Sequence, residues 1–350
     1  MRLRFVTHQL GTWCALAPGG TFADVPELPD IAVYVDHLAR RFVGGPFEGV
    51  RLASPFILRT AVPPISDSAG RTLTSVKRLG KRLVFELDRP DEARTFLVIH
   101  LMVAGRFRLA PKGAPIPKKL GLASLEFPSA SVILTEAGTK RRASIHYVTG
   151  PDALAPFDRG GIEPLTASLS EWRAALTREN HTLKRALTDP RIVSGVGNGY
   201  SDEILHVARL SPLKLTNKLD DDEWRRLHEA TRLVLEEWIA RLTRESKDGF
   251  PENVTAFREE MRVHGKYKKP CPVCGSLVLR IVYADNETNY CAACQTDGRP
   301  LADRSMSRLL GKDWPRSLDE LEELRPTLLG KPNPARSTKP VKPKRVKAES

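Results

Sequence analysis

Four of the five cysteines form two C-x2-C pairs, Cys271/Cys274 and Cys291/Cys294, sixteen residues apart, while Cys14 stands alone near the start. Each pair lets two thiolates converge from one tight turn, and two such turns on a β-hairpin close a tetrahedral shell with no open position. The chemistry this implies is one structural Zn2+ that holds a finger together. Disulfide bonding is the alternative, but nothing else in the chain suggests a secreted protein.

Two further patterns suit an anionic ligand. Gly195-Val196-Gly197-Asn198-Gly199 runs into Tyr200–Leu205, and small residues ahead of a helix let backbone N–H groups approach a phosphate closely. An ordinary turn between helices is the plainer reading. A dinucleotide fold is rejected, because no strand of a βαβ unit precedes the glycines. Lys81 follows Gly80 and precedes the alternating run Arg82–Leu87, which puts it near a hairpin tip.

The charge balance agrees with a polyanionic partner. The 350 residues carry 55 Lys+Arg against 42 Asp+Glu, a net +13, of which +6 lies in residues 331–350 and +7 in the rest. No apolar run approaches the roughly 18 residues of a membrane span. Residues 1–25 lack the continuous apolar stretch and cleavage site of an export signal.

These side chains need elements to position them. Apolar spacing predicts a helix over Asp30–Phe42, closed by Gly44-Gly45-Pro46. Short alternating runs between about 47 and 150 predict an antiparallel β-sandwich or barrel. Helices follow at Ser170–Thr177, Leu183–Leu187, Ser201–Ala208 and Asp221–Glu245, with two short ones expected at Arg304–Leu310 and Ser317–Glu323. The last twenty residues, rich in Pro and Lys, are expected to be disordered.

Pro26-Glu27-Leu28-Pro29-Asp30 before a helix, Gly195-Val196-Gly197-Asn198 and the four-cysteine finger resemble, in order and spacing, the formamidopyrimidine-DNA glycosylase and endonuclease VIII family over roughly residues 26–300. The resemblance implies an α+β multidomain fold: a β-sandwich with a leading helix, a helix-two-turn-helix domain and a C-terminal zinc finger. The expected division is 1–25 extension, 26–155 catalytic domain, 156–265 DNA-binding domain, 266–300 finger and 301–350 C-terminal extension.

The same resemblance implies excision of oxidised bases from double-stranded DNA and cleavage at the abasic site by a monomer in the bacterial cytoplasm, at the nucleoid. Pro26 matches the nucleophile, an N-terminal amine that titrates near ~7.7–8.0 and is partly unprotonated at neutral pH. Glu27 matches the acid/base, Lys81 a phosphate contact that assists base removal, and Asp30 a supporting position often held by Glu. Lys184 and Asn198 match the phosphate grip, with Tyr200 beside them. In the chain as written the Pro26 nitrogen is a tertiary amide, so the reading expects translation from codon 25 with removal of the initiator methionine, or proteolysis.

Departures from the family pattern bear on the lesion. Val103 stands where His-Leu-Gly-Met-Ser-Gly would place the wedge methionine, and Lys140, Arg141 and Arg142 replace an Arg-Phe loop, as phosphate contacts or a solvated charge cluster. Asn286 replaces an arginine before the third cysteine, a loss of charge that Lys266, Tyr267, Lys268 and Lys269 are placed to offset. The rival readings are a non-catalytic DNA-damage-binding paralogue and a glycosylase for bulky adducts or interstrand cross-links.

Overall fold

The computed structural model describes residues 26–137, 141–247, 249–252, 258–283 and 286–301. Cys14, Lys140, the two short helices expected after residue 303 and the basic tail lie outside the described residues.

Helix α1 (Leu28–Phe42) begins two residues before the expected Asp30. Pro29 sits in the first turn, where a missing N–H costs nothing, and Asp30 Oδ2 accepts the Glu27 N–H at 2.9 Å. The helix serves two cores. Ile31, Tyr34, Leu38 and Phe42 recur at helical spacing and pack on the sheets, while Leu28 and Val33 join the apolar core of the following domain.

Nine strands come next: β1 (Pro46–Phe47), β2 (Gly49–Leu52), β3 (Arg71–Leu79), β4 (Arg82–Asp88), β5 (Thr95–His100), β6 (Gly105–Pro111), β7 (Gly121–Glu126), β8 (Ala130–Glu136) and β9 (Ser144–Thr149). They form a five-stranded sheet in the order β1-β3-β4-β5-β9 and a four-stranded sheet in the order β2-β7-β8-β6, with antiparallel pairing in both. One apolar cluster, including Leu73, Phe85, Leu97, Phe107 and Leu134, takes side chains from both sheets. The expected sandwich is the observed one.

The helical domain comprises α2 (Leu169–Thr177), α3 (Leu183–Thr188), α4 (Asn198–Val207) and α5 (Asp221–Glu245). Ser168, Thr182 and Asp220 cap α2, α3 and α5 with their own side chains, so those starts are local events. Helix α4 begins three residues before the expected Ser201 and has no side-chain cap of its own. Its first N–H groups find a partner in another domain, as described below. Trp172, Trp224 and Trp238 are buried in the core these helices share.

The finger consists of β10 (Val278–Tyr283), β11 (Asn286–Cys291) and α6 (Ala292–Gln295). It docks on α4. The Asn289 N–H donates to Asp202 Oδ2 at 3.1 Å, and Gln295 Nε2 donates to the Leu210 carbonyl at 2.9 Å. Among the described residues no helix is long and apolar enough to cross a membrane.

Candidate active site

Pro26 is buried, immediately before Glu27. The Glu27 carboxylate, only 3% exposed, accepts the N–H groups of Gly197 at 2.6 Å, Gly199 at 2.8 Å and Tyr200 at 3.4 Å. It is therefore the N-terminal cap of α4, supplied from the start of the sandwich domain, and the positive end of the helix faces a carboxylate. This corrects one expectation: the N–H groups of Gly197 and Gly199 hold Glu27, and a phosphate does not find them free. The Leu28 N–H donates to the Gly195 carbonyl at 2.9 Å, which fixes the two segments side by side.

Lys81 occupies the two-residue turn between β3 and β4, with Leu79 opposite Arg82 and Gly80 at φ +60°, a conformation glycine adopts at little cost. The turn brings its ammonium to the same place as Glu27. A Cβ added to Gly197 would lie 2.1 Å from Lys81 Nζ and 2.6 Å from Glu27 Cδ. Two charged side chains close over its Cα, so any larger residue there must push them aside, a reason for glycine that sequence spacing did not reveal. A cavity of about 200 Å3 opens beside Lys81, with Arg82, His100, Phe157 and Gly195 in its wall. Burial, with Arg82 and Lys81 nearby, pushes His100 down to about 4, so its ring is neutral at neutral pH.

Asp30 is 4% exposed, and its Oδ1 accepts Arg258 Nη2 at 3.1 Å while its Oδ2 holds the Glu27 N–H. Burial raises its carboxyl above the ordinary value, and Arg258 opposes that rise. Asp30 thus sets the backbone at Glu27. Arg258, which lies over the Trp238 ring at 5.7 Å, was missed in the sequence because nothing local marks it.

Lys184, expected to face a phosphate, is paired within the protein. Lys184 Nζ donates to the Asn198 carbonyl at 2.7 Å and to Asp202 Oδ1 at 2.6 Å, so its charge is matched by a buried carboxylate. Asp202 Oδ2 also meets His264 Nδ1 at 2.8 Å, and Glu203 accepts the N–H groups of Arg262, Val263 and His264. These two fully buried acids on α4, unremarked in the sequence, bind the segment leading into the finger.

Asn198 is half-buried at the first position of α4. Tyr200 corrects a second expectation. Its side chain is 2% exposed and packs edge-on against Trp238 at 5.9 Å in the helical core, so it cannot contact DNA.

Other predicted contacts lie at the periphery. Arg141 and Arg142 are exposed beyond β8, where the Glu136 carboxylate accepts the Arg142 and Ala143 N–H groups at 2.9–3.1 Å. Val103 lies half-buried in a turn so tight that a Cβ on Gly105 would fall 2.0 Å from the Leu101 carbonyl oxygen, and Met102 there has φ +54°. Ahead of the finger, Tyr267 lies beneath the Arg280 guanidinium at 4.3 Å and the Lys268 ammonium at 5.3 Å.

The sulfurs of Cys271, Cys274, Cys291 and Cys294 lie within 4.8 Å of one another, with Cys271–Cys294 at 3.9 Å and Cys274–Cys291 at 3.4 Å. A tetrahedral Zn2+ with ~2.3 Å bonds needs sulfurs about 3.8 Å apart, so this cluster fits. The thiols ionise unequally: against burial, hydrogen bonds from Ser276 bring Cys274 down to about 6, whereas burial and the neighbouring sulfurs push Cys294 up to about 11, so the four do not all ionise unaided. A dication reverses that preference, and all four thiolates would hold it. Buried His206 on α4 places Nε2 3.2 Å from Cys271 Sγ.

Residues 25–141 match the formamidopyrimidine-DNA glycosylase N-terminal domain, residues 161–248 its H2TH domain and residues 268–296 the zinc finger found in FPG and IleRS. The formamidopyrimidine-DNA glycosylase of Heliobacterium modesticaldum is 34% identical over 281 residues, 77% of this chain and 100% of that one. The chain belongs to the formamidopyrimidine-DNA glycosylase family. It is accordingly an enzyme of base-excision DNA repair with one structural zinc. The solved complex of Lactococcus lactis Fpg with abasic-site DNA superposes with a TM-score of 0.68 at 26% identity, covering 77% of this chain and 99% of its relative. An uncharacterised formamidopyrimidine-DNA glycosylase-like protein of Mycobacterium tuberculosis is 39% identical over 150 residues, 43% of this chain and 93% of the relative.

Proposed function

We propose that the protein excises damaged, oxidised bases from double-stranded DNA and cleaves the resulting abasic strand, with the amine of Pro26 as nucleophile once residues 1–25 are absent. The nitrogen adds to the deoxyribose C1′ and the base leaves. The Glu27 carboxylate takes the N–H proton that Pro26 must lose and passes it to O4′ as the C1′–O4′ bond opens, leaving an iminium. That cation accepts the electrons released when C2′ loses a proton and the 3′ phosphate departs. Water finally hydrolyses the iminium and frees Pro26.

One observation carries this reading: Glu27, next to Pro26, and Lys81 from the hairpin converge on Gly197, so nucleophile, proton carrier and cation share one spot. Lys81 would face the phosphate beside the lesion, with Asn198, Arg141, Arg142 and Lys140 along the DNA. Asp30 and Lys184 position the groups above them, and the division at 155 and 265 gives catalysis, DNA grip and finger to successive domains. The family match starting at residue 25 supports a working chain that begins with Pro26. The substrate is nucleoid DNA in the cytoplasm.

Borohydride reduction during incubation with abasic DNA tests the scheme. Protein beginning at Pro26 is expected to be trapped covalently, and the full 350-residue chain is not. Absence of an adduct from the Pro26-started protein would leave a DNA-damage-binding protein without covalent chemistry.

A further inference from the structure

The cavity beside Lys81 continues into an open groove of about 500 Å3. The two share Arg159, Thr188 and Pro190, and the groove adds Arg185, Asp189 and Arg191. Arg159 lies close enough to Arg82 that its charge lowers the Arg82 pKa, after burial as the larger cause, so cationic side chains follow one another from the turn at Lys81 outward. Among the described residues Asp189 is the one carboxylate lining the groove, and Asp158, whose Oδ1 accepts the Gly160 N–H at 2.8 Å, lines the cavity it continues from. Asp189 is taken by Arg191, with Nη2–Oδ2 at 2.6 Å, and the Arg191 guanidinium holds its carboxyl at about 2. Among the described residues Arg159 and Arg185 have no carboxylate partner, and both are exposed.

A groove of this size edged by guanidiniums is mismatched to an apolar or cationic partner. Its continuity with the site proposed above makes the sugar–phosphate backbone the matching ligand, since planar guanidiniums bind phosphate oxygens in pairs. We propose that Arg159 and Arg185 form a phosphate track that carries one flank of the duplex away from the lesion, and that Asp189 limits its strength by neutralising Arg191. The inference rests on the proposed DNA-repair reading and extends its footprint.

Equilibrium binding of the full chain to undamaged duplex across a salt series tests the track without requiring catalysis. Each phosphate contact contributes roughly 0.9 to the log–log salt slope, so R159S/R185S is expected to lose about 1.8 of that slope. R159K/R185K should keep it, and D189N should add about 0.9 by releasing Arg191. An unchanged slope in R159S/R185S overturns the track.

A duplex carrying a tetrahydrofuran abasic analogue fixes the register. Trimming its two flanks in turn should abolish the difference between wild type and R159S/R185S on one side only, and a difference that survives both trims also overturns the track. If protein beginning at Pro26 does not prefer the analogue to undamaged DNA, the repair reading fails while the slope comparison still decides the track.

Discussion

Glu27 Oε1 accepts the Gly199 N–H at 2.8 Å, so the residue that starts the sandwich domain is also the cap of a helix in the next domain. Glu27 and helix α4 are thereby one mechanical unit. Displacing either moves both.

Gly197→Ala tests that unit. The added methyl would meet the Lys81 ammonium and the Glu27 carboxylate, both at side-chain ends that can give way. The expected cost in stability is about 1–3 kcal/mol, whereas a displacement of ~1 Å at the reacting groups costs about 100-fold in rate. Single-turnover excision alongside urea denaturation should show activity lost in a protein that remains folded.

Arg258→Met leaves the buried Asp30 carboxyl without its cation. The expected loss is about 3–5 kcal/mol near neutral pH, as for any broken buried pair. Because burial raises the Asp30 pKa, the folded state holds that proton more tightly than the unfolded chain, so stability falls as pH rises above the unfolded value of 3.8. Removing Arg258 steepens this fall, and denaturation midpoints should separate the variant from wild type more at pH 7 than at pH 5.

His206→Phe probes the finger. Burial pushes the ring down to about 4, so it is neutral, and its Nε2–H is placed to donate to the Cys271 sulfur. Loss of such an outer hydrogen bond typically weakens metal retention by about 10–100-fold. Transfer of zinc to a chromogenic chelator should accelerate in the variant by about that factor.

Deleting residues 331–350 removes a net charge of +6. DNA affinity and its salt slope should both fall, for damaged and undamaged duplex alike, with excision at saturating protein unchanged. Complete loss of excision would show that the segment does more than supply charge.

Much of this molecule is readable along the chain. Helix α5 runs over the predicted Asp221–Glu245 because its cap, Asp220, and the answering Glu223 are local. Lys81 lies in its turn because Gly80 accepts a positive φ, and the cysteine spacing alone is enough to place four sulfurs together. Caps, turns and metal knuckles are short-range, and residue identity with spacing decides them.

Burial and long-range pairing are another matter. Tyr200 looks like a DNA contact beside the glycines, yet α4 turns it into the helical core against Trp238. The glycine N–H groups look open to phosphate, yet Glu27, 170 residues earlier, fills them. Nothing in the sequence marks Asp202 and Glu203, yet they join Lys184, His264 and Asn289 of the finger. Each outcome depends on which surfaces meet when the domains close around α1, because desolvation and hydrogen-bond partnership belong to the assembled interior and leave no periodic mark on the chain.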